Sequence, residues 1–503
     1  MDLHKELKHW FGYSEFRMGQ KDIIESLLKG QDVLAMLPTG TGKSICYQLP
    51  GFLSNGLTIV VSPLLSLMQD QVQELKSNGL KQIAALNSMV SNEERQFVLN
   101  HLHDYRLLYL SPEMLQSEYV LSKLKQTKVS FFIVDEAHCI SHWGKSFRTD
   151  YRKLAPVRRA LANPPCLAIT ATATEVVRDD IREQLQLNNV QSYIYSVDRP
   201  TIALDIKETS SNSTKLKELN EYVRSLEGPG LIYFQTRKWA EAASSYLQQQ
   251  GHANVSYYHG GMVHEDRLLI QQQFMKDQLD LICCTSAFGM GVNKSNIRYV
   301  IHFQPPLDLE SFLQEIGRAG RDGENSLSLL LYSAEDRQMA KTMIKKDLLD
   351  KSQLIHILSA LSTGGKLTYA EEKLIYLPVN CSDTAYSVLR YQLEMENYVI
   401  RDQWQSFDVQ TVYPKIEKAL TEYGQVLEQR LNKIWEWIES NSCKRQQILR
   451  YFDEIMQSRP DACCSYCGLD RLELTNSKVH NQQASSFEWV DHLNYVFLKG
   501  HQQ

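Results

Sequence analysis

The chain reads as an α/β protein of two tandem parallel-sheet lobes, with a smaller helical, metal-binding part behind them. Three observations predict this. Short apolar runs alternate with longer amphipathic stretches up to about Pro200: Val33 to Leu37, Leu57 to Val61, Leu107 to Leu110, Phe131 to Val134 and Cys166 to Thr170. Buried strands separated by helices build a parallel sheet covered on both faces. The pattern then restarts beyond Asp198-Arg-Pro200, with Gly230 to Phe234, Val255 to Tyr258, Leu279 to Cys284, Tyr299 to Phe303 and Leu329 to Tyr332. Finally, Cys443, Cys463, Cys464 and Cys467 crowd into the last quarter, away from any such run.

Composition sets the frame. At 503 residues the chain is too long for one core, and length alone points to about three or four domains. It is 43% hydrophobic and 22% charged, a globular balance, with a net charge of −5. Whole-chain electrostatics therefore do not announce a polyanion partner, and any nucleic-acid surface must be a local basic groove. No apolar run has the length of a membrane span, and the start, Met-Asp-Leu-His-Lys-Glu, lacks a signal peptide, so a cytoplasmic protein is expected. The other cysteines, Cys46, Cys139, Cys166, Cys283, Cys284 and Cys381, are scattered or lie in apolar runs, as buried thiols of a reducing compartment do.

In the first lobe, Leu37-Pro-Thr-Gly-Thr-Gly-Lys-Ser44 follows an apolar run. Small residues there let backbone N–H groups close on phosphate oxygens, while Lys43 reaches the terminal phosphates and Ser44 reaches Mg²⁺. Leu37 stands where the full pattern has its first glycine. Phe131-Phe-Ile-Val-Asp-Glu-Ala-His138 is an apolar strand ending in a carboxylate pair. Asp135 can hold Mg²⁺, and Glu136 can orient or deprotonate the attacking water. Alone, the Gly-Lys-Ser turn also fits an ordinary strand-to-helix connection and the Asp-Glu pair a solvated surface. Together, at strand ends of one sheet, they describe an NTP hydrolysis site, and two lobes leave a cleft that can open and close with each cycle.

Taken in order, Phe11-Gly-Tyr-Ser-Glu-Phe-Arg-Met-Gly-Gln20, the two segments above, Val61-Ser-Pro to Val72, Leu110-Ser-Pro-Glu113, Asp135 to Arg148 with its Cys-Ile-Ser-His-Trp-Gly stretch, Thr170-Ala-Thr-Ala-Thr174, Ala287 to Lys294 and Gln314-Glu-Ile-Gly-Arg-Ala-Gly-Arg-Asp-Gly323 closely resemble the motifs of the RecQ family of DNA helicases. The resemblance covers about the first 340 residues and resumes at the cysteines. It implies two RecA-like lobes, with Tyr13, Arg17 and Gln20 as an adenine clamp. Thr39, Gly40, Thr41, Gly42, Lys43, Ser44 and Gln314 would bind the nucleotide, and Ser44 and Asp135 the magnesium. Arg318 and Arg321 of the second lobe would complete the site, Arg321 being preferred as the arginine finger. Trp143, Phe147 and Arg148 match an aromatic-rich loop between the ATP site and DNA, although Lys145 departs from the family's usual residue. Phosphate contacts to DNA are expected from Ser62, Ser111, Arg237 and Thr285.

The last part departs from the common family layout. Cys443 opens a helix and Cys463-Cys-Ser-Tyr-Cys467 forms a knuckle, so that four thiolates can surround Zn²⁺; the adjacent pair resembles the Werner-syndrome branch. Before them lies an insert that reads as a winged helix. Its helices are expected at Gln353 to Leu361, from Thr368, whose Thr-Tyr-Ala-Glu is a capping box, and at Thr384 to Glu396. Its strands are expected at Tyr398 to Arg401 and Phe407 to Val412. This arrangement resembles the shorter bacterial RecS-type members. The expected domains are residues 1–200 and 201–340 for the lobes, 341–414 for the insert beside the second lobe, and 415–470 for a helical hairpin with zinc. A tail of 471–503 completes the chain, and its Phe487 to Leu498 is expected to dock as an amphipathic helix.

The resemblance implies an ATP-dependent DNA helicase that translocates on single-stranded DNA, 3′ to 5′, and unwinds duplex or branched DNA in recombination and repair. ATP, Mg²⁺ and Zn²⁺ are its cofactors; single-stranded and branched DNA, and a single-stranded-DNA-binding protein, are its candidate partners, with nucleoid association in a bacterial cell. A translocase that strips proteins or anneals strands, an RNA helicase and a nucleotide-binding scaffold are the alternatives.

Overall fold

A computed structural model of the chain describes residues 1–63, 65–87, 90–141, 149–289, 294–400 and 403–469. The first lobe holds strands β1 (Val33–Met36), β2 (Leu57–Val61), β3 (Ile83–Leu86), β4 (Leu107–Leu110), β5 (Val129–Asp135), β6 (Cys166–Thr170) and β7 (Gln191–Ile194). They lie in the order β3-β4-β2-β5-β6-β1-β7, every pairing parallel. β1, β2, β4 and β6 are buried throughout, which is why their sequences are unbroken apolar runs. Because all strands run one way, the loop after β1 and the acid pair ending β5 open on the same edge.

The second lobe repeats the plan with β8 (Ile202–Glu208), β9 (Gly230–Tyr233), β10 (Val255–Tyr258), β11 (Leu281–Cys284), β12 (Tyr299–His302) and β13 (Ser326–Tyr332), ordered β10-β11-β9-β12-β13-β8 and again all parallel. The apolar pattern misses β3, β7 and β8, each at an edge of its sheet. Edge strands need bury less, so Gln191-Ser-Tyr-Ile194 and the charged half of β8, Asp205-Ile-Lys-Glu208, carry polar residues. The open side of β8 is closed by the cysteine knuckle: Leu204 N donates to the Cys463 carbonyl at 3.2 Å.

The insert has helices Lys351–Leu361, Tyr369–Tyr376 and Asp383–Met395, the second opened by the expected Thr368 and Glu371 capping box. A small antiparallel sheet, ordered β14-β16-β15, comes from β14 (Gly365–Lys366), β15 (Val399–Ile400) and β16 (Gln403–Trp404). Trp404 is buried, its Nε1 donating to Glu372 Oε1 at 3.1 Å.

Two expectations for this region are corrected. Phe407 to Val412 is no strand: the Asp408 carboxylate accepts from Thr411 N at 3.0 Å and caps a 31-residue helix, Val409–Glu439. The alternation of Phe407 and Val409 with polar neighbours mimics a strand, but burial of Val412, Ile416 and Leu420 follows the helical period. A boundary at 414 therefore falls inside this helix. The insert also rests on the first lobe, since Glu394 meets Lys153 at 2.6 Å and Tyr391 OH accepts from Arg152. Its acidic third helix is explained by ion pairing, with Glu396 facing Lys415 at 3.5 Å. Lys153→Ala is accordingly expected to weaken this docking, measured as faster proteolysis of the insert, while leaving the melting of the lobes nearly unchanged, because one partly exposed ion pair contributes about 1 kcal/mol or less. Among the described residues no helix is long and apolar enough to cross a membrane; the tail segment Phe487 to Leu498 lies outside them.

Candidate nucleotide site and metal centre

The turn after β1 adopts left-handed φ at Gly40 (84°) and Gly42 (76°), which glycine takes without strain. The helix Ile45–Leu53 starts directly behind Ser44, so its first N–H groups face the loop. Lys43 Nζ lies 3.8 Å from Glu136 Oε1. Glu136 is itself left-handed, at φ 48°, and its N–H donates to Asp135 Oδ1 at 2.9 Å. His138 Nδ1 sits 3.4 Å from Glu136 Oε2 and 2.8 Å from Thr170 Oγ1, tying the acid pair to the end of β6. Burial, and then the neighbouring Glu136 carboxylate, push Asp135 up to about 7 against the pull of Lys43. A buried acid pair held this way fits a divalent cation, whose charge would let both carboxylates ionise; the Ser44 hydroxyl and Asp135 are the oxygen donors suited to Mg²⁺.

The second lobe closes over this edge and leaves a cavity of about 450 Å³ lined by both lobes, Gln314 among the residues of the second. Arg318 is buried and donates to the Gly289 carbonyl. Arg321 lies on the phosphate loop itself: a Cβ at Gly40 would come within 2.8 Å of Arg321 Cγ. Burial, then Arg318 and Arg199, push Arg321 down to about 9, which marks a crowding of positive charge that a polyphosphate would relieve. Thr39 Oγ1 donates to the Gly317 carbonyl at 3.0 Å. A Cβ at Gly317 would meet that oxygen at 1.9 Å. Gly317→Ala should therefore prop the cleft apart and lower ATP turnover by about tenfold or more with little loss of melting temperature, which steady-state kinetics and thermal melts would check.

The adenine-clamp residues come together beside the loop, with one departure. Tyr13 is exposed, as a stacking face must be, and Arg17 Nη1 donates to the Gly40 carbonyl at 2.6 Å. Gln20, however, is turned inward: its Nε2 donates to the Thr41 and Gly42 carbonyls, both at 2.9 Å, and its Oε1 accepts from Arg17 N at 2.9 Å. In this arrangement its amide holds the phosphate loop and is not presented to a base edge.

The expected DNA contacts divide. Ser62 and Ser111 are buried, Ser62 in the wall of the nucleotide cavity and Ser111 with its Oγ accepting from Met114 N at 3.4 Å, so neither hydroxyl is offered to a strand at the surface. Arg237, exposed at the start of the helix Arg237–Gln249, and Thr285, just past β11, share the carboxyl edge of the second sheet. Trp143, Phe147 and Arg148 lie outside the described residues.

The four cysteines converge. Cys443 caps the helix Lys444–Tyr451. The sulfurs of Cys443, Cys463, Cys464 and Cys467 all lie within 4.8 Å of one another, the Cys443 to Cys463 pair at 3.7 Å, Cys443 to Cys464 at 3.9 Å and Cys464 to Cys467 at 3.5 Å. Tetrahedral zinc bonds of about 2.3 Å set sulfurs about 3.8 Å apart, so the set fits zinc, and it is far too open for disulfides. Cys464→Ser, or a strong chelator, should release one equivalent of zinc and lower the melting temperature of the region around the knuckle, because metal and thiolate stand in for a core that so small a module cannot build. Zinc content and a thermal melt measure both.

One site residue went unrecognised in the sequence. Arg199, noted only as part of the join, donates from Nη1 to the Thr39 carbonyl at 3.0 Å and from Nη2 to those of Ala319 at 3.1 Å and Gly320 at 2.7 Å. Nothing local in Asp-Arg-Pro signals a bond across 160 residues to the phosphate loop.

Comparison with known proteins agrees with this geometry. The DEAD/DEAH box helicase family model matches residues 17–180, the helicase conserved C-terminal domain 214–323 and the RecQ zinc-binding domain 406–468. The chain is 41% identical over 499 residues to a probable ATP-dependent DNA helicase RecS of Bacillus subtilis, covering 98% of each. It is 40% identical to the ATP-dependent DNA helicase RecQ of Haemophilus influenzae over 69% of this chain and 55% of that protein. Among solved structures, the Mycobacterium smegmatis helicase Lhr bound to ssDNA and AMP-PNP superposes with a TM-score of 0.55 at 18% identity, over 68% of this chain and 49% of that one, a likeness of fold alone.

Proposed function

The chain belongs to the RecQ family of ATP-dependent DNA helicases, and from that premise we propose that it hydrolyses ATP to move 3′ to 5′ along single-stranded DNA and to part duplex and branched substrates in recombination and repair. The observation that carries the reading is the cleft in which Arg321 of the second lobe lies on Gly40 of the phosphate loop, above Lys43 and the acid pair. Lys43 and the loop N–H groups neutralise the phosphates. Glu136, aimed by His138, orients the attacking water and takes its proton, and Arg321 meets the charge that develops on the transferred phosphoryl group. Magnesium, held by Ser44 and Asp135, would supply further neutralisation of that charge. Arg318, bonded to the Gly289 carbonyl, acts by holding the loop beside the finger. Tyr13 and Arg17 stack on the base.

The triphosphate's charge favours the closed cleft, and departure of the cleaved phosphate removes charge that holds the arginines in place, so each turnover opens the cleft and shifts one lobe along the strand. Arg237 and Thr285 contact backbone phosphates from the second lobe, and Trp143, Phe147 and Arg148 sense the strand from the first. A single-stranded-DNA-binding protein would meet the chain on the same substrates. The test is ATPase rate with single-stranded DNA, RNA or neither, together with strand displacement from 3′- and 5′-tailed duplexes. Stimulation by DNA and displacement from the 3′ tail are expected. Equal stimulation by RNA would favour an RNA helicase, and stimulation without displacement a translocase.

A further inference from the structure

The zinc module meets both lobes and the join between them. The small cavity where they meet is lined by Thr39 of the phosphate loop, Arg199 of the join, Ile316 of the helix Leu309–Ile316, and Arg445 and Ile448 of the zinc module. Arg445 is buried; its Nη1 pairs with Asp198 Oδ1 at 2.5 Å and donates to the Arg199 carbonyl at 3.1 Å, while Nη2 donates to the Cys463 carbonyl at 3.4 Å. One guanidinium therefore clamps the backbone of Arg199 to the knuckle. The Arg199 side chain then runs the other way, to Thr39 in the first lobe and to the turn Gly317 to Gly320 in the second.

The same module holds both lobes at its margins. Glu454 Oε1 accepts from Val197 N at 3.0 Å and Asp453 Oδ2 from Glu175 N at 3.2 Å, on the first-lobe side. On the second, Tyr451 OH donates to Glu310 Oε1 at 2.7 Å, and Arg430 stands 3.7 Å from both Asp308 and Glu310, at the start of the helix that leads into Arg318 and Arg321.

We propose that Arg199 is a positioning residue for ATP hydrolysis, tying the phosphate loop to the turn that carries the arginine finger, and that the zinc module sets its place through Arg445. The inference rests on reading the cleft as the ATP site. Among the described residues the hydrogen bonds of the Arg199 guanidinium go to backbone carbonyls, and Arg199 is not among the residues lining the nucleotide cavity. Its removal leaves Lys43, the acid pair and Arg321 present but lets the two walls drift, and a misplacement of about 1 Å can cost about a hundredfold in rate. Lysine has one ammonium in place of a planar fork and cannot span Thr39 and the Ala319 to Gly320 carbonyls together.

The test uses the full, zinc-loaded chain with single-stranded DNA. Arg199→Ala should lower kcat for ATP by about ten- to hundredfold, with KM for ATP within about threefold of wild type and with zinc content and melting temperature kept. Arg199→Lys should restore little. Arg445→Met should lower kcat likewise, and the double variant should be no slower than Arg199→Ala, because the two act in series. Should Arg445→Met lose its fold, Asp198→Asn serves instead: it removes the ion pair while keeping an acceptor, and should slow kcat without further effect in the Arg199→Ala background. Wild-type kcat in Arg199→Ala, or rate losses that multiply in the double variants, would overturn the proposal. A wild-type chain that hydrolyses no ATP would overturn the reading of the cleft and this inference with it.

Discussion

Glu136→Gln should bind ATP with near wild-type affinity and turn it over slower by about two to four orders of magnitude, since the amide keeps the shape of the side chain and loses its basicity. Lys43→Ala should reduce hydrolysis to background by a different route. It removes the ammonium 3.8 Å from Glu136 Oε1 and leaves an acid pair with less to hold it ionised, in a site where burial already raises Asp135. Both variants should still bind single-stranded DNA, because the proposed phosphate contacts Arg237 and Thr285 belong to the second lobe. Nucleotide binding, ATPase rate and DNA binding measured side by side separate the two losses, and substantial hydrolysis by either variant would remove this site from the mechanism.

Arg321→Ala should cut turnover by about a thousandfold or more while nucleotide affinity changes little, because a finger from the opposite lobe acts on the transition state. The choice between the two arginines has a geometric basis. Arg318 is buried and already bonded to Gly289, whereas Arg321 lies against the phosphate loop. Arg318→Ala should therefore do its damage through the loop it supports, as a smaller fall in kcat with some loss of melting temperature. A larger catalytic defect in Arg318→Ala than in Arg321→Ala would reverse the assignment.

What could be read from the chain and what could not divide along a physical line. Central strands such as Leu57–Val61 are buried on both faces and must be apolar, so they announce themselves; β7 and β8, at sheet edges, need not be and do not. The loop from Leu37 to Ser44, the acid pair and the four cysteines were legible because their chemistry needs particular residues at short spacing. The contacts that close the cleft were not. Arg445 and Asp198 are 247 positions apart, and neither neighbourhood carries a trace of the other. Gln20 shows a second limit: residue type told what it could bond, and only the fold told that Thr41 and Gly42 hold that amide. Phe407 to Val412 shows a third, a window short enough to satisfy two periodicities at once.

The helix Val409–Glu439 runs for 31 residues with Pro414 in its second turn, about 46 Å at 1.5 Å per residue. Its first third packs Val412, Ile416 and Leu420 into the insert, which rests on the first lobe through Glu394 and Lys153. Its last third packs against the second lobe, with Trp437 and Phe312 4.8 Å apart between ring centres. A helix seated on both halves of a cleft that opens and closes as proposed would act as a lever. A tilt of about 5° at one end sweeps the other through about 4 Å, roughly the spacing of one residue along the chain, so motion too slight to notice at the phosphates becomes a displacement of whole side chains at the far tip.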